Sequence, residues 1–326
     1  MVFAAAVALC LLSHTLAAAD RSKKDCTLKR VGSVEFTVTD NGILTPVTVN
    51  DHPARMILST ASIMTVMWSD AAGPVGATVS PLPVNSAEVK FGAFTVTQFA
   101  AVPSFALGPV QFGKAQFVLV PRLTRRERLG EDPIVGELGM DAFGKLDFEL
   151  DFANHRLNLY SQDHCPGSVV YWTDSYSSAT ITKGQLGNFY FPMELDGKNV
   201  EATVSTTARV NTLPTDVTKQ VYGFDEHSAD IETEVSTSGA PVAHYRAMAL
   251  TASGLQVTNA RIQLDTEKRE SCSLTTTTGK EHAAIHEGCL GGEAPLMLGL
   301  SVVEHMHLYF ATKERILYFT DANASH

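Results

Sequence analysis

The sequence has little helical periodicity, no strongly basic segment and only one long apolar run. Its 326 residues are 44% hydrophobic and 18% charged, which excludes a disordered, collagenous or low-complexity chain. Lys and Arg number 25 against 35 Asp and Glu, and the only basic cluster is the short stretch 125–128. A surface for nucleic-acid phosphates is therefore not expected. The composition fits two packed domains of moderate size.

The one long apolar run lies at the amino terminus. Residues 2–19 carry no charged side chain and end in small residues before Asp20, a pattern typical of a secretory signal peptide. The sequence thus predicts a signal peptide over 1–19 and a secreted or periplasmic mature protein. The alternative is an uncleaved membrane anchor, for which the run is marginally long. No later segment is long and apolar enough for stable membrane insertion.

The five cysteines are few enough to allow a definite prediction. Cleavage would remove Cys10 and leave an even number in an exported chain, where thiols are usually oxidised. We therefore expect two disulfides, and of the three possible pairings we favour the one in which each bond closes one half of the chain. The favoured pairs are Cys26 with Cys165 and Cys272 with Cys289.

A metal site is the competing interpretation of the last two cysteines. Together with His282 and His286 they offer two thiols and two imidazoles. Their spacing is unlike that of a paired-cysteine zinc knuckle, so a disulfide is favoured and no metal or other cofactor is expected. His305 and His307 alternate along a predicted strand and are interpreted as surface or strand-face residues.

The chain contains an internal duplication. Residues 45–62 align without a gap on residues 191–208, and each copy predicts a strand, a tight turn, and a second strand that runs into a turn of small residues. A second pair of blocks, 138–160 and 298–319, follows in the same order, each with a Leu-Gly entry and a hairpin. Short helices are expected only near 141–145, 214–222 and 302–305.

The duplication divides the chain into segments. The stretch between the copies is rich in Ser, Thr, Gly and Asp, as expected of a surface linker. The predicted organisation is a signal peptide (1–19), a first lobe (20–160), a linker (161–186), a second lobe (187–320) and a tail (321–326).

The order of these blocks, present twice, resembles the two-lobed retropepsin-like and pepsin-like aspartic proteases, particularly exported bacterial proteins with tandem retropepsin-like domains. The resemblance implies an all-β fold of two homologous β-barrel lobes in a pseudo-two-fold arrangement, with a cleft between them. It also implies a monomer that is an internal pseudo-dimer. In this family the first turn of each lobe reads Asp-Thr/Ser-Gly, and the two carboxylates share one proton and polarise the attacking water.

The sequence departs from this pattern at the atoms that carry the chemistry. The first turn reads Ser59-Thr60-Ala61 and the second Ser205-Thr206-Thr207. Both aspartate positions are serine, both glycine positions carry a Cβ, and only the two central threonines match. A serine hydroxyl is too weak an acid to replace a carboxylate as a base, so no intact catalytic residue is expected.

Three functions follow as hypotheses. The first is a catalytically silent homologue that binds an extended peptide or protein segment in the cleft. The second is an active aspartic-type endopeptidase whose carboxylates come from other positions, although Asp141 and Asp151 are interpreted as structural or surface residues. The third is a purely structural or interaction protein. A serine hydrolase is disfavoured because neither turn contains a His or Lys and no Gly-x-Ser-x-Gly motif is present.

Overall fold

The computed structural model describes residues 26–83, 89–91, 94–122, 132–183, 189–236, 239–266 and 296–324. The predicted signal peptide, the possible metal site and the predicted Cys272–Cys289 bond lie outside these residues. Strands make up 56% and helices 7% of the structure, which confirms the predicted all-β fold. Within the described ranges, the helices are all too short or too polar to cross a bilayer.

The first lobe is a closed barrel of six strands. An antiparallel hairpin begins it, the remaining strands follow by parallel and antiparallel pairing, and the last strand pairs back onto the first. In order around the barrel the strands are β3 (Gly42–Val49), β4 (His52–Leu58), β11 (Ile134–Leu138), β5 (Val66–Trp68), β10 (Val110–Val120) and β9 (Gln98–Leu107). Further strands of this lobe are β2 (Thr37–Thr39), β6 (Thr78–Pro81) and the separate hairpin β7 (Val89–Phe91) with β8 (Phe94–Val96).

The second lobe repeats the same order of pairing and is also closed. Its barrel strands are β16 (Phe189–Leu195), β17 (Lys198–Val204), β22 (Leu296–Leu298), β18 (Asn211–Pro214), β21 (Leu255–Asp265) and β20 (Pro241–Ala252). At the two ends of its sheet lie β15 (Thr182–Lys183) and β19 (Glu232–Val235).

The first hairpin of each lobe has a turn that its sequence dictates. Asn50 and Asp51 both have positive φ, as do Asp196 and Gly197. Two-residue turns with both central residues in this region follow the right-handed twist of the strands, and Asn, Asp and Gly tolerate that conformation best. The predicted duplication of 45–62 in 191–208 is thus confirmed by matching hairpins.

Short helical segments occur where the sequence placed them. They span Met140–Phe143, Thr215–Val217 continuing into Thr218–Tyr222, and Leu300–Val303.

A third sheet joins the two lobes. The sequence assigned one hairpin to the end of each lobe, but the structure merges both hairpins into one six-stranded antiparallel sheet, called here the interlobe sheet. Its order is β1 (Arg30–Glu35), β13 (Arg156–Ser161), β12 (Leu146–Asp151), β23 (Met306–Ala311), β24 (Ile316–Asp321) and β14 (Ser177–Thr180). At its centre Phe148 pairs with Phe310, and their rings stack with centroids 4.4 Å apart. This face packs against the main core.

The predicted linker differs from a bare surface connection. Residues 161–176, called here the strap, cross the other face of the interlobe sheet, which we call the back face. Val169 and Trp172 are buried there against Tyr160 and Tyr309. Because the segment is mostly polar, its sequence did not predict this short apolar cluster. Burial of the cluster holds the strap on the sheet. The chain after the strap forms the edge strand β14.

A disulfide between Cys26 and Cys165 ties the strap to the segment preceding β1. This confirms the first predicted pairing. The bond joins residues 139 positions apart, so it closes a loop that contains the whole first barrel.

Loss of this bond should destabilise the protein. Replacing Cys26 with Ser should lower the free energy of unfolding by about 2–5 kcal/mol, because the unfolded chain regains the entropy of a long loop. Urea denaturation followed by fluorescence measures the change. Cys165→Ser should lose the same amount, and the double variant no more than either single variant, since each removes the same bond. Equal stability of wild type and double variant would contradict the assignment.

Candidate functional site

The two turns of small residues lie where the barrels face each other. Each turn begins directly after the second strand of its hairpin, and its first residue is held by the Leu-Gly block of the same lobe. The Ser59 N–H donates to the Leu138 carbonyl at 2.9 Å, and the Ser205 N–H donates to the Leu298 carbonyl at 2.8 Å. The equivalent positions of the duplication therefore occupy equivalent places in space.

The central threonines of the turns bond to each other across the lobes. The Thr60 N–H donates to Thr206 Oγ1 at 3.1 Å, and the Thr206 N–H donates to Thr60 Oγ1 at 3.2 Å. Each hydroxyl in turn donates to the carbonyl that precedes the opposite turn, Thr60 to Val204 at 2.7 Å and Thr206 to Leu58 at 2.5 Å. We call these four hydrogen bonds the threonine grip. Both threonines are buried, and the grip gives a hydrogen-bond partner to the N–H and the hydroxyl of each.

The flanking serines are not equivalent. The Ser205 hydroxyl accepts the Ala208 N–H at 3.1 Å and lies 3.2 Å from the Thr207 hydroxyl. By contrast, the Ser59 hydroxyl forms no hydrogen bond with any described residue, and no direct hydrogen bond joins it to Ser205. Thr207, which occupies a glycine position of the family pattern, thus places a hydroxyl beside Ser205, whereas Ala61, at the other glycine position, has no side-chain hydroxyl.

A glycine of each Leu-Gly block lies against the chain just beyond each turn. A Cβ on Gly139 would lie 2.4 Å from the Met64 carbonyl carbon, and one on Gly299 would lie 2.3 Å from the Val210 carbonyl oxygen. The N–H of each glycine donates into the lobe, to Thr65 Oγ1 and to Asn211 Oδ1 respectively. Only glycine permits this approach.

The acidic residues near the first turn have structural partners. Asp141 accepts hydrogen bonds from the Thr65 hydroxyl at 2.6 Å and from the Ala142 N–H at 3.0 Å. Asp151 accepts both the N–H and the side-chain amide of Asn154. Within the described ranges, no side-chain hydrogen bond of either turn reaches a carboxylate or an imidazole. The same ranges contain no cluster of His, Cys, Asp and Glu that could hold a metal ion.

The two histidines interpreted as surface or strand-face residues differ in their surroundings. His305 is exposed in the turn before β23, whereas His307 lies on a face of β23, the back face of the interlobe sheet, and is buried there beside Glu149. The alternation of β23 does point His307 away from the main core. The strap, which the sequence did not place, covers it.

Removal of the grip should cost stability. Thr206→Val removes a donor to a buried carbonyl and leaves the buried Thr60 N–H without an acceptor, which should lower the free energy of unfolding by about 1–3 kcal/mol. Thr45→Val is the matched control, because the Thr45 hydroxyl is buried without a partner among the described residues. Urea denaturation of both variants measures the difference. A loss in the control as large as in Thr206→Val would contradict the role of the grip.

The Gly299→Ala variant tests the close approach. The added methyl group would overlap backbone atoms, which cannot move away as a flexible side chain can. We therefore expect the free energy of unfolding to fall by about 1–3 kcal/mol. Gly73→Ala serves as the control, since no atom lies within 4 Å of the added Cβ there. Thermal and urea unfolding should show a lower stability for Gly299→Ala than for Gly73→Ala. Equal stabilities of the two variants would contradict the close packing at Gly299.

The comparisons with known proteins agree with this geometry for the first lobe. Residues 45–142 match the family model described as Aspartyl protease, a segment that runs from the first hairpin through the first turn to the Leu-Gly block. A search of curated proteins found no match. The chain is thus aspartyl protease-like, and its two closed six-stranded barrels are consistent with two retropepsin-like lobes.

Proposed function

We propose that this protein is an exported, catalytically silent homologue of the aspartic proteases, which binds an extended peptide or protein segment between its lobes without cutting it. The observation that carries the proposal is the threonine grip: the two turns are held together while serine stands where each carboxylate would be needed.

The chemistry of the family has no substitute in these turns. Two opposed carboxylates hydrolyse a peptide because they share a proton and polarise a water. The hydroxyls of Ser59 and Ser205 do not ionise near neutral pH. Activation of a serine as a nucleophile needs an adjacent base, and neither hydroxyl has an imidazole or carboxylate partner among the described residues.

Binding does not need the missing acids. An extended peptide can add to strand edges through main-chain hydrogen bonds, and pockets for alternate side chains then supply specificity. A floor of neutral hydroxyls also avoids the cost of removing a charged pair from water when a ligand covers it. The scaffold can therefore bind a peptide as the family does, without hydrolysing it.

Cleavage assays distinguish this proposal from an active endopeptidase. The purified protein, incubated with denatured protein substrates from acid to neutral pH, should leave them intact. Combining Ser59→Asp, Ser205→Asp, Ala61→Gly and Thr207→Gly would restore the family pattern in both turns, and cleavage that appears only in this variant would support the proposal. Cleavage by the wild type that persists in Ser59→Ala and Ser205→Ala would contradict it.

The unequal serines make the binding proposal specific. Because the Ser59 hydroxyl has no hydrogen-bond partner among the described residues, a ligand group on the cleft floor can bond to it without displacing any of them, whereas Ser205 already bonds to Ala208. With a fluorescent peptide mimic carrying a hydroxyl at its central bond as the probe, Ser59→Ala should weaken binding about 5- to 10-fold, equivalent to about one hydrogen bond. Ser205→Ala should weaken it less.

The control for this experiment is Ser177→Ala, on the edge strand β14, where the hydroxyl donates to the Ser253 carbonyl. It should leave the affinity unchanged. Equal losses in Ser59→Ala and Ser177→Ala would contradict a contact on the cleft floor. Absence of binding to any member of a degenerate peptide library would favour the purely structural role.

A further inference from the structure

The back face of the interlobe sheet contains an unusual concentration of buried charge. Among the described residues, every buried carboxylate belongs to β12: Asp147, Glu149 and Asp151. The first two have no exposed surface, and each lies 2.6 Å from an imidazole, Asp147 from His164 Nε2 and Glu149 from His307 Nε2. The barrel of the first lobe has no buried charged side chain in its described strands.

Glu149 joins three parts of the molecule. It belongs to the first lobe, His307 belongs to the second, and the strap contributes Tyr171, whose hydroxyl donates to the carboxylate at 3.0 Å. The Tyr160 hydroxyl at 2.6 Å and the Asn158 amide at 2.9 Å complete its donors. This set of donors matches the ionised form of the carboxylate.

The strap also covers the imidazole of that pair. The Trp172 ring stacks on His307 with the centroids 4.0 Å apart and the planes nearly parallel. The Trp172 Nε1–H donates to the Thr320 hydroxyl of the second lobe at 3.0 Å.

Asp147 makes a second connection of the same kind. Its Oδ1 accepts the N–H and the hydroxyl of Thr312 in the second lobe, each at 2.9 Å, and its Oδ2 faces His164 in the strap. The other nitrogen of His164, Nδ1, lies 3.2 Å from the Cys165 carbonyl and 3.2 Å from Glu314 Oε1. The ring of His164 thus lies between two carboxylates, Asp147 of the first lobe at 2.6 Å and Glu314 of the second lobe at 3.2 Å.

Burial raises the pKa of Glu149, but hydrogen bonds from His307, Tyr160 and Asn158 and the charge of His307 outweigh it and hold this pKa below its ordinary value of 4.5. The nearby phenols respond in the opposite sense: burial and the Glu149 charge raise the pKa of Tyr171 to about 12 and also raise those of Tyr160 and Tyr309. The other ionisable groups around this face are Arg30, Asp147, Asp151, His164, His307, Glu314 and Tyr318.

We propose that the strap and the two imidazole–carboxylate pairs form an acid-sensitive latch between the lobes, which is closed at neutral pH and opens in acid before the barrels unfold. Protonation of Glu149 would remove the charged acceptor of its hydrogen bonds and leave the buried imidazole of His307 without its negative partner. Such a loss is costly in a buried site. The described strands of the first barrel contain no buried acid, so acid removes no equivalent interaction there.

The sign of the effect follows from the pKa of Glu149. A carboxyl group whose pKa is lowered by folding stabilises the folded form above its ordinary pKa, and this stabilisation is lost as the pH falls through the folded pKa. The latch should therefore be closed above the ordinary pKa of 4.5 and should weaken as the pH falls further below it. Each proton taken up on opening changes the opening equilibrium about tenfold per pH unit.

Hydrogen exchange on the unmodified protein tests the latch. Protection factors, corrected for the intrinsic pH dependence of exchange, are measured by mass spectrometry from pH 7 to pH 3. Peptides of the strap should lose protection below pH 4.5, by up to about tenfold per pH unit for each proton taken up, while peptides of β3 and β4 stay protected. Simultaneous loss in the strap and the first barrel, or constant protection of the strap, would overturn the proposal.

A substitution supplies the second test. Glu149→Gln should reduce strap protection at pH 7 and flatten its response to acid, because one titrating group is gone. Glu35→Gln is the matched control: this carboxylate lies in β1 of the same sheet, but its ion pair with Arg156 is exposed. Identical pH profiles for Glu149→Gln and wild type would overturn the proposal. If Glu149→Gln does not fold, exchange in the unmodified protein still decides.

Fluorescence offers an independent readout, since Trp68 and Trp172 are the only tryptophans. Trp68 is buried in the first barrel and Trp172 reports the strap. The Trp68→Phe variant reports only Trp172, and the Trp172→Phe variant reports only Trp68. The emission of Trp172 should shift to longer wavelength at a higher pH than the emission of Trp68. Coincident transitions would contradict separate opening of the latch.

Discussion

The arrangement of the lobes depends on the reciprocal hydrogen bonds of Thr60 and Thr206. Two backbone N–H groups and two carbonyls at the facing ends of the barrels are removed from water, and each finds its partner in the other lobe. Because an unsatisfied buried polar group costs more than a typical hydrogen bond contributes, neither turn can move away alone without a penalty. This constraint involves hydroxyl and peptide groups only. It explains how the turns keep their geometry in a chain that has no carboxylate in either of them.

The lobes are joined a second time by the interlobe sheet, and this junction has a different chemistry. Its inner face is apolar, with Phe148 stacked on Phe310 across the boundary. Its back face is ionic, and there the strap supplies His164, Tyr171 and Trp172. Burial of a charged pair contributes little net stability by itself, but removal of one partner is strongly destabilising. The back face therefore specifies how the strap and the two lobes fit together more than it strengthens them.

The sequence predicted the features that local patterns determine. Turn residues with a preference for positive φ fixed the hairpins at Asn50-Asp51 and Asp196-Gly197, and the gapless repeat located Thr60 and Thr206 in matching turns. The ionic back face could not be predicted in the same way. Alternating acids in β12 are the usual mark of a solvent-exposed strand face, and the segment that buries them has a linker-like composition. Only the tertiary placement of the strap turns Asp147, Glu149 and His307 into buried residues.

The two junctions respond differently to pH. No side chain of the turns 59–62 and 205–208 ionises in the ordinary pH range, since they contain only Ser, Thr and Ala. An aspartic dyad, by contrast, binds ligands in a manner that changes with its shared proton. A pH dependence of ligand binding in this protein must therefore arise from the ligand, from groups lining the cleft beyond these turns, or from the interlobe sheet. Of the described residues, the buried acids of β12 are those best placed to transmit a change in acidity to the relative position of the lobes.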